Sequence, residues 1–137
     1  MDISAFSEKY RVRTKRDSCG DPIIPGNARP KDMPQRVEYA SHIYENGDGR
    51  FGLCLLFETK IRWTYAKKSL EDAGFLIRQN GDTEGTALFD PDNWKQARLA
   101  IKLARIRNRK ILSPEQRVII AERLKRARES KKPSQEG

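Results

Sequence analysis

Residues 38–59, EYASHIYENGDGRFGLCLLFET, decide how this chain is read. Two strand-like runs, Glu38 to Glu45 and Phe51 to Phe57, flank Asn46-Gly47-Asp48-Gly49, a turn whose residues accept the positive φ of a tight hairpin. The second run is almost wholly apolar through Leu53, Cys54, Leu55 and Leu56. That predicts an interior strand, buried on both faces. Thr59 then caps a predicted helix reaching about Ala73, with Trp63, Ala66, Leu70 and Ala73 at helical spacing and Gly74 as its stop.

The same order recurs toward the C-terminus. Phe75 to Gln79, a turn at Asn80-Gly81-Asp82, and Thr86 to Phe89 read as a second hairpin. Asp90 and Pro91 supply a cap and a first-turn proline for a helix from Pro91 to about Arg107. Asn46-Gly47-Asp48 matches Asn80-Gly81-Asp82, Phe57 matches Phe89, Trp63 matches Trp94 and Ala66 matches Ala97. The spacing from Asn to Trp is 17 in one half and 14 in the other, so the match needs gaps. The expected fold class is α+β, built of two successive β-hairpin–helix (ββα) units with an N-terminal edge strand and a basic C-terminal helix.

Working toward the N-terminus, Tyr10 and Val12 alternate with Arg11 and Arg13, which predicts a short edge strand over Lys9 to Thr14 after a tail at 1–8. Residues 17–36 contain Pro22, Pro25, Gly26, Pro30 and Pro34, a density that excludes regular structure and predicts a long loop. Asp21 to Gly26 is apolar enough to be pinned to the core, and the stretch from Asn27 to Gln35 is expected to be mobile. Beyond the second unit, Ser113, Pro114 and Gln116 open a helix over 113–130. Residues 131–137 read as a disordered polar tail, which leaves 9–110 as the compact domain.

Composition narrows the function classes. A chain of 137 residues, 36% hydrophobic and 34% charged, supports one core rather than two. Cys19 and Cys54 are far apart and His42 is the sole histidine, too few ligands for a standard zinc site, and no cofactor is expected. No run approaches the roughly 18 apolar residues of a membrane span. The N-terminus lacks a basic start and an apolar stretch, so a reducing, cytoplasmic setting with free thiols is expected, without a membrane partner.

The net charge is +9, and it is local. From Lys95 to Lys132 fourteen Lys and Arg face three acids, Glu115, Glu122 and Glu129, a surplus of +11 that leaves −2 for everything else. Lys95, Arg98, Lys102, Arg105 and Arg109 fall at spacings of 3, 4, 3 and 4, one stripe on a continuous helix. Ala97, Ala100, Leu103 and Ala104 lie opposite. The stripe holds no acid to relieve its own repulsion, and Arg outnumbers Lys in this segment, which favours forked contacts to phosphate. Candidate nucleic-acid-binding residues are Lys95, Arg98, Lys102, Arg105, Arg107, Arg109 and Lys110, with Arg117, Arg123, Lys125 and Arg126 on the last helix.

The leading expectation is a non-enzymatic binder of DNA or RNA backbone. The alternative is an inhibitor or adaptor whose basic face meets an acidic protein surface, with Ile120, Leu124 and Ala127 as a docking seam. A merely solvated face is the plainest reading. Arg11, Arg13, Lys15 and Arg16 form a second basic cluster whose placement depends on the fold. Trp63, Trp94, Phe57 and Phe89 all fall at core positions, leaving no evident exposed aromatic for stacking on single strands. No catalytic constellation is present. His42 reads as an ordinary strand residue, and Asp82, Glu84, Asp90 and Asp92 are explained by turns and caps, which makes a metal-dependent nuclease a remote alternative. Arg50-Phe51-Gly52 lacks the glycine that an RNP1 signature needs after its basic residue.

Overall fold

The computed structural model describes residues 1–32, 40–109 and 114–130. A six-stranded antiparallel sheet carries the fold, with strands β1 (Lys15–Arg16), β2 (Pro22–Pro25), β3 (His42–Glu45), β4 (Phe51–Leu56), β5 (Leu76–Asn80) and β6 (Glu84–Phe89). Their order across the sheet is β1-β2-β3-β4-β6-β5. The helices are α1 (Ile3–Tyr10), α2 (Lys60–Asp72), α3 (Trp94–Leu103) and α4 (Pro114–Ser130). The chain is therefore α+β, and the hairpins β3–β4 and β5–β6 sit where the sequence puts them.

The apolar run at 51–56 becomes an interior strand, paired with β3 on one side and β6 on the other. Side chains alternate across a strand, so Phe51, Leu53 and Leu55 share one face. Ile24 and Ile43 extend that face across β2 and β3, and Ala87 and Phe89 extend it across β6. Trp63, Ala66 and Leu70 of α2, and Ala97 and Ala100 of α3, close over it to make the core. Gly85 leaves room for the Trp63 ring: a Cβ there would stand 2.1 Å from the indole. The indole N–H donates to Asn80 Oδ1 at 2.8 Å, so the one polar atom of this buried ring has its partner.

The N-terminus departs from expectation. Residues 3–10, read as the end of a tail and the start of a strand, form α1, capped by the Asp2 carboxylate on the Ala5 N–H. Ile3, Phe6 and Tyr10 recur at helical spacing and enter the core, where the Phe6 ring lies 4.6 Å from Tyr10 and 5.3 Å from Phe51. The alternation of Tyr10 and Val12 reflects a helix end followed by a bridge from Val12 to Asn108, not a strand.

The proline-rich stretch also departs. Pro22–Pro25 is strand β2, with its two prolines at the strand's ends, so the residues between them keep their ladder donors. Ile23 and Ile24 are buried, as expected of a pinned segment. Asn27 and Ala28, read as the start of a mobile stretch, are instead held: their N–H groups donate to the carbonyls of Arg105 and Ala104, each at 3.1 Å. The rest of the expected mobile stretch from Met33 on, the start of the 38–45 strand, Lys110, the Ser113 cap and the 131–137 tail lie outside the described residues.

Gly26 is where this loop touches the end of α3. A Cβ at Gly26 would lie 2.1 Å from the Ala104 carbonyl oxygen, a backbone atom that cannot move without breaking its bond to Ala28. Gly26→Ala is expected to lower the unfolding free energy by about 1–3 kcal/mol, read from the urea midpoint. Thiol accessibility supplies a second test. Cys19 is exposed, whereas Cys54 on β4 is largely buried, and that burial, with Glu84 adding to it, pushes the Cys54 thiol up to about 11. Because only the thiolate reacts, titration with a disulfide reagent at pH 8 should report one fast thiol in the native protein and two in denaturant.

Candidate anion-binding cleft

The predicted helix from Pro91 to Arg107 is shorter at both ends. Asn93, not Asp90, is its cap, its side chain accepting from the N–H groups of Lys95 and Gln96. Asp90 instead accepts from the Asp92 N–H in the preceding turn. At the other end the helix stops at Leu103, and Arg105 takes φ +55°. The Arg105 N–H donates to the Lys102 carbonyl and the Ile106 N–H to the Ile101 carbonyl, the paired bonds of a Schellman end. The stripe from Lys95 to Arg109 is therefore not one helix face. It bends at Arg105.

Helix α1 ends in the same way. Arg11 takes φ +55°, its N–H donates to the Ser7 carbonyl, and the Val12 N–H donates there too. Arg11 and Arg105 are the only non-glycine residues with positive φ among the described residues. After these bends the two segments run side by side, joined by the Val12–Asn108 bridge and a bond from the Arg109 N–H to the Arg11 carbonyl at 2.6 Å.

Between the two helix ends lies a cleft of about 470 Å³, lined by Lys9, Tyr10 and Arg11 from the first end and Arg98, Lys102 and Arg105 from the second. Ile101, Ile106 and Asn108 complete it, and no carboxylate is among its lining residues. None of the five cations makes an ion pair among the described residues, where the pairs are Arg50–Asp48, Lys67–Glu71 and Arg109–Glu8. The plainest account of cations here is compensation of helix dipoles, since two C-termini converge. Each supplies only about half a negative charge. Five cations exceed that roughly fivefold.

The sequence-predicted residues thus divide. Arg98, Lys102 and Arg105 line the cleft. Arg109 does not: its guanidinium reaches Glu8 at 3.5 Å and the Ser7 carbonyl at 3.5 Å, so it braces α1. Lys95 and Arg107 are exposed outside the cleft lining, and Lys110 lies outside the described residues. Residues 114–128 of α4 are all exposed, Arg117, Arg123, Lys125 and Arg126 among them, and none lines the cleft. Ile120 and Leu124 of the expected seam are exposed as well. Of the second basic cluster only Arg11 joins, while Arg16 donates to the Gly20 carbonyl at 2.7 Å. Lys9 and Tyr10 were not candidates in the sequence. Their only signal there is the Ile3, Phe6, Tyr10 spacing that reveals α1.

One core assignment is overturned. Trp63 is 2% exposed, but its matched partner Trp94 is 57% exposed, at the first turn of α3 with the Lys95 ammonium 5.9 Å from its ring centroid. Phe57 is partly buried against the core and Phe89 is within it.

Elsewhere, a depression of about 480 Å³ is lined by Asp17, Asp21, His42, Tyr44 and Glu45 and carries the opposite charge. His42 Nδ1 lies 2.9 Å from the Ala40 carbonyl. No group of three or more His, Cys, Asp or Glu that could hold a metal ion exists among the described residues. No helix there is long and apolar enough to cross a membrane. Comparison of the chain with protein-family models, curated proteins and solved structures finds no match in any of the three.

The Tyr10 hydroxyl is buried and has no hydrogen-bond partner among the described residues. Removing an unsatisfied buried hydroxyl relieves a desolvation cost rather than breaking a bond. Tyr10→Phe is therefore expected to leave the thermal midpoint unchanged or to raise it, checked by calorimetry.

Proposed function

We propose that this protein binds nucleic acid without catalysing a reaction, gripping backbone phosphates in the cleft formed by Lys9, Arg11, Arg98, Lys102 and Arg105. The observation that carries this reading is the pair of left-handed arginines. A helix end of this type normally takes glycine, because a side chain at positive φ costs about 1 kcal/mol or more. Here both ends carry arginine, and both arginines line the same acid-free cleft. A backbone cost accepted twice at one cleft, on top of like-charge repulsion, is accounted for by an anionic ligand that uses the side chains. Their guanidinium forks suit phosphate, and five contacts give affinity and salt sensitivity rather than base specificity.

The same reading takes β3–β4–α2 and β5–β6–α3 as two successive hairpin–helix units and α4 as a basic arm. In it Arg117, Arg123, Lys125 and Arg126 add phosphate contacts along the strand. The same reading takes the setting to be reducing and cytoplasmic, which suits two unpaired cysteines. Binding to an acidic protein surface is the second reading, favoured by the exposed Ile120 and Leu124 on α4, which could supply the apolar centre that such interfaces rely on.

The test is a double variant, Arg11→Gly with Arg105→Gly. Relief of two left-handed side chains should hold the unfolding free energy or raise it by about 1 kcal/mol. The same variant should bind short oligonucleotides at least tenfold more weakly. The dependence of log affinity on log salt, roughly −4 for five phosphate contacts, should become shallower by about 2. A stable double variant that binds as tightly as the parent would remove the cleft from the function.

A further inference from the structure

A second, shallower groove of about 300 Å³ adjoins the cleft and shares Lys102 and Arg105 with it. Its apolar floor is Phe57 and Leu103, and Arg62 and Tyr65 of α2 stand along it. Tyr65 is 71% exposed. No acid is among its lining residues either. On α3, Trp94 precedes Arg98 by four residues and Lys102 by eight, so the exposed indole stands at the head of the same helix row. Arg98 and Lys102 thus follow one exposed ring, Trp94, along α3, and Lys102 and Arg105 share the second groove with another, Tyr65.

A duplex has no use for this arrangement, because its bases are stacked inside and its surface to a flat protein face is phosphate and sugar. A single strand offers both parts at once: phosphates for the cations and unpaired base faces for the rings. The exposure of Trp94 is not forced by its position in a hairpin–helix unit. Trp63, at the matching place in the first half, is buried and hydrogen-bonded.

We infer that the ligand is single-stranded nucleic acid, its phosphates held by Lys9, Arg11, Arg98, Lys102 and Arg105 while bases stack on Trp94 and Tyr65. The inference rests on the phosphate-binding reading above and adds the strand state of the ligand. Because stacking uses a π-face common to all bases, the site discriminates single strand from duplex more than one sequence from another.

The experiment is fluorescence anisotropy of the full chain with oligo(dT), oligo(U) and a hairpin duplex of equal length, comparing the parent with Trp94→Ala, Tyr65→Ala and Trp94→Phe. Both rings are exposed, so the fold should tolerate each change, which a circular-dichroism melt verifies. Single strands should bind tighter than the duplex. Each alanine should weaken single-strand binding about 5- to 100-fold and leave duplex binding within about twofold, and Trp94→Phe should restore most of the loss. Stacking should also quench the fluorescence of the parent, which has two tryptophans. The quenching should disappear in Trp94→Phe, which keeps only the buried Trp63. Equal binding of duplex and single strand, unaffected by either alanine, would overturn this inference and leave the phosphate cleft standing. Absence of binding to every oligonucleotide at low salt would overturn both. Binding confined to vesicles of anionic lipid, weakened by Trp94→Ala, would likewise overturn both and point to a membrane surface.

Discussion

The cleft depends on a knot of hydrogen bonds around Ser41, a polar residue with no solvent exposure. Its hydroxyl donates to the Ala28 carbonyl at 2.6 Å and accepts from the Leu56 N–H at 2.9 Å. Its carbonyl takes the Gly26 N–H at 2.7 Å, and its own N–H returns to the Ala28 carbonyl. A single residue, through its hydroxyl and its backbone, thereby joins the segment after β2, the start of β3 and the end of β4. A buried hydroxyl that makes these bonds adds modestly to stability, but leaving its partners unsatisfied would cost about 1–3 kcal/mol. Geometric consequence matters more. The knot fixes residues 26–28, and those residues hold the carbonyls of Ala104 and Arg105. The end of α3 is positioned from the sheet, through a loop that the proline content alone would leave undefined.

The opposite wall of the cleft is positioned differently. Helix α1 is held by Ile3, Phe6 and Tyr10 in the core and is tied at its start by the Glu45 carboxylate, which accepts the Ile3 N–H at 2.6 Å. Its end is fixed by the bridge between Val12 and Asn108 and braced by Arg109 against Glu8. The two helix ends therefore share the core and are tied to each other, while the end of α3 has a further anchor in the Ser41 knot. What these anchors set is the backbone at each helix end, so the bases of the cleft side chains are in place before any ligand arrives. The acidic depression around Asp17, Asp21 and Glu45 and the basic cleft share no lining residue, so acids and cations line different depressions.

Much of the sheet and of α2 was legible because each rests on a local signal. The turn at Asn46–Gly49, the apolar run at 51–56, and the Thr59 cap with Trp63, Ala66 and Leu70 each state their own conformation. The errors at α1 and α3 share one cause. Sequence rules expect glycine at a left-handed helix end, and both ends carry arginine, so α3 reads as continuing to Arg107 and the end of α1 reads as a strand. A second error concerns Trp94, whose helical spacing resembles that of Trp63. Spacing reports which residues share a face; it does not report whether another element covers that face.

The amino-acid order by itself determined the α+β class, the two hairpins, the interior place of β4 and the concentration of positive charge after Lys95, because hydrophobic periodicity, turn chemistry and charge are local. Tertiary structure alone decided which cations meet. Lys9 and Arg11 lie nearly a hundred residues from Lys102 and Arg105, and only core burial of α1, the Ser41 knot and the Val12–Asn108 bridge bring them to one cleft. Arg109 is spent on an internal brace for the same reason. Long-range packing assigns each basic residue its neighbours, and those neighbours separate Arg109, paired with Glu8, from the cations that line the cleft without an ion pair among the described residues.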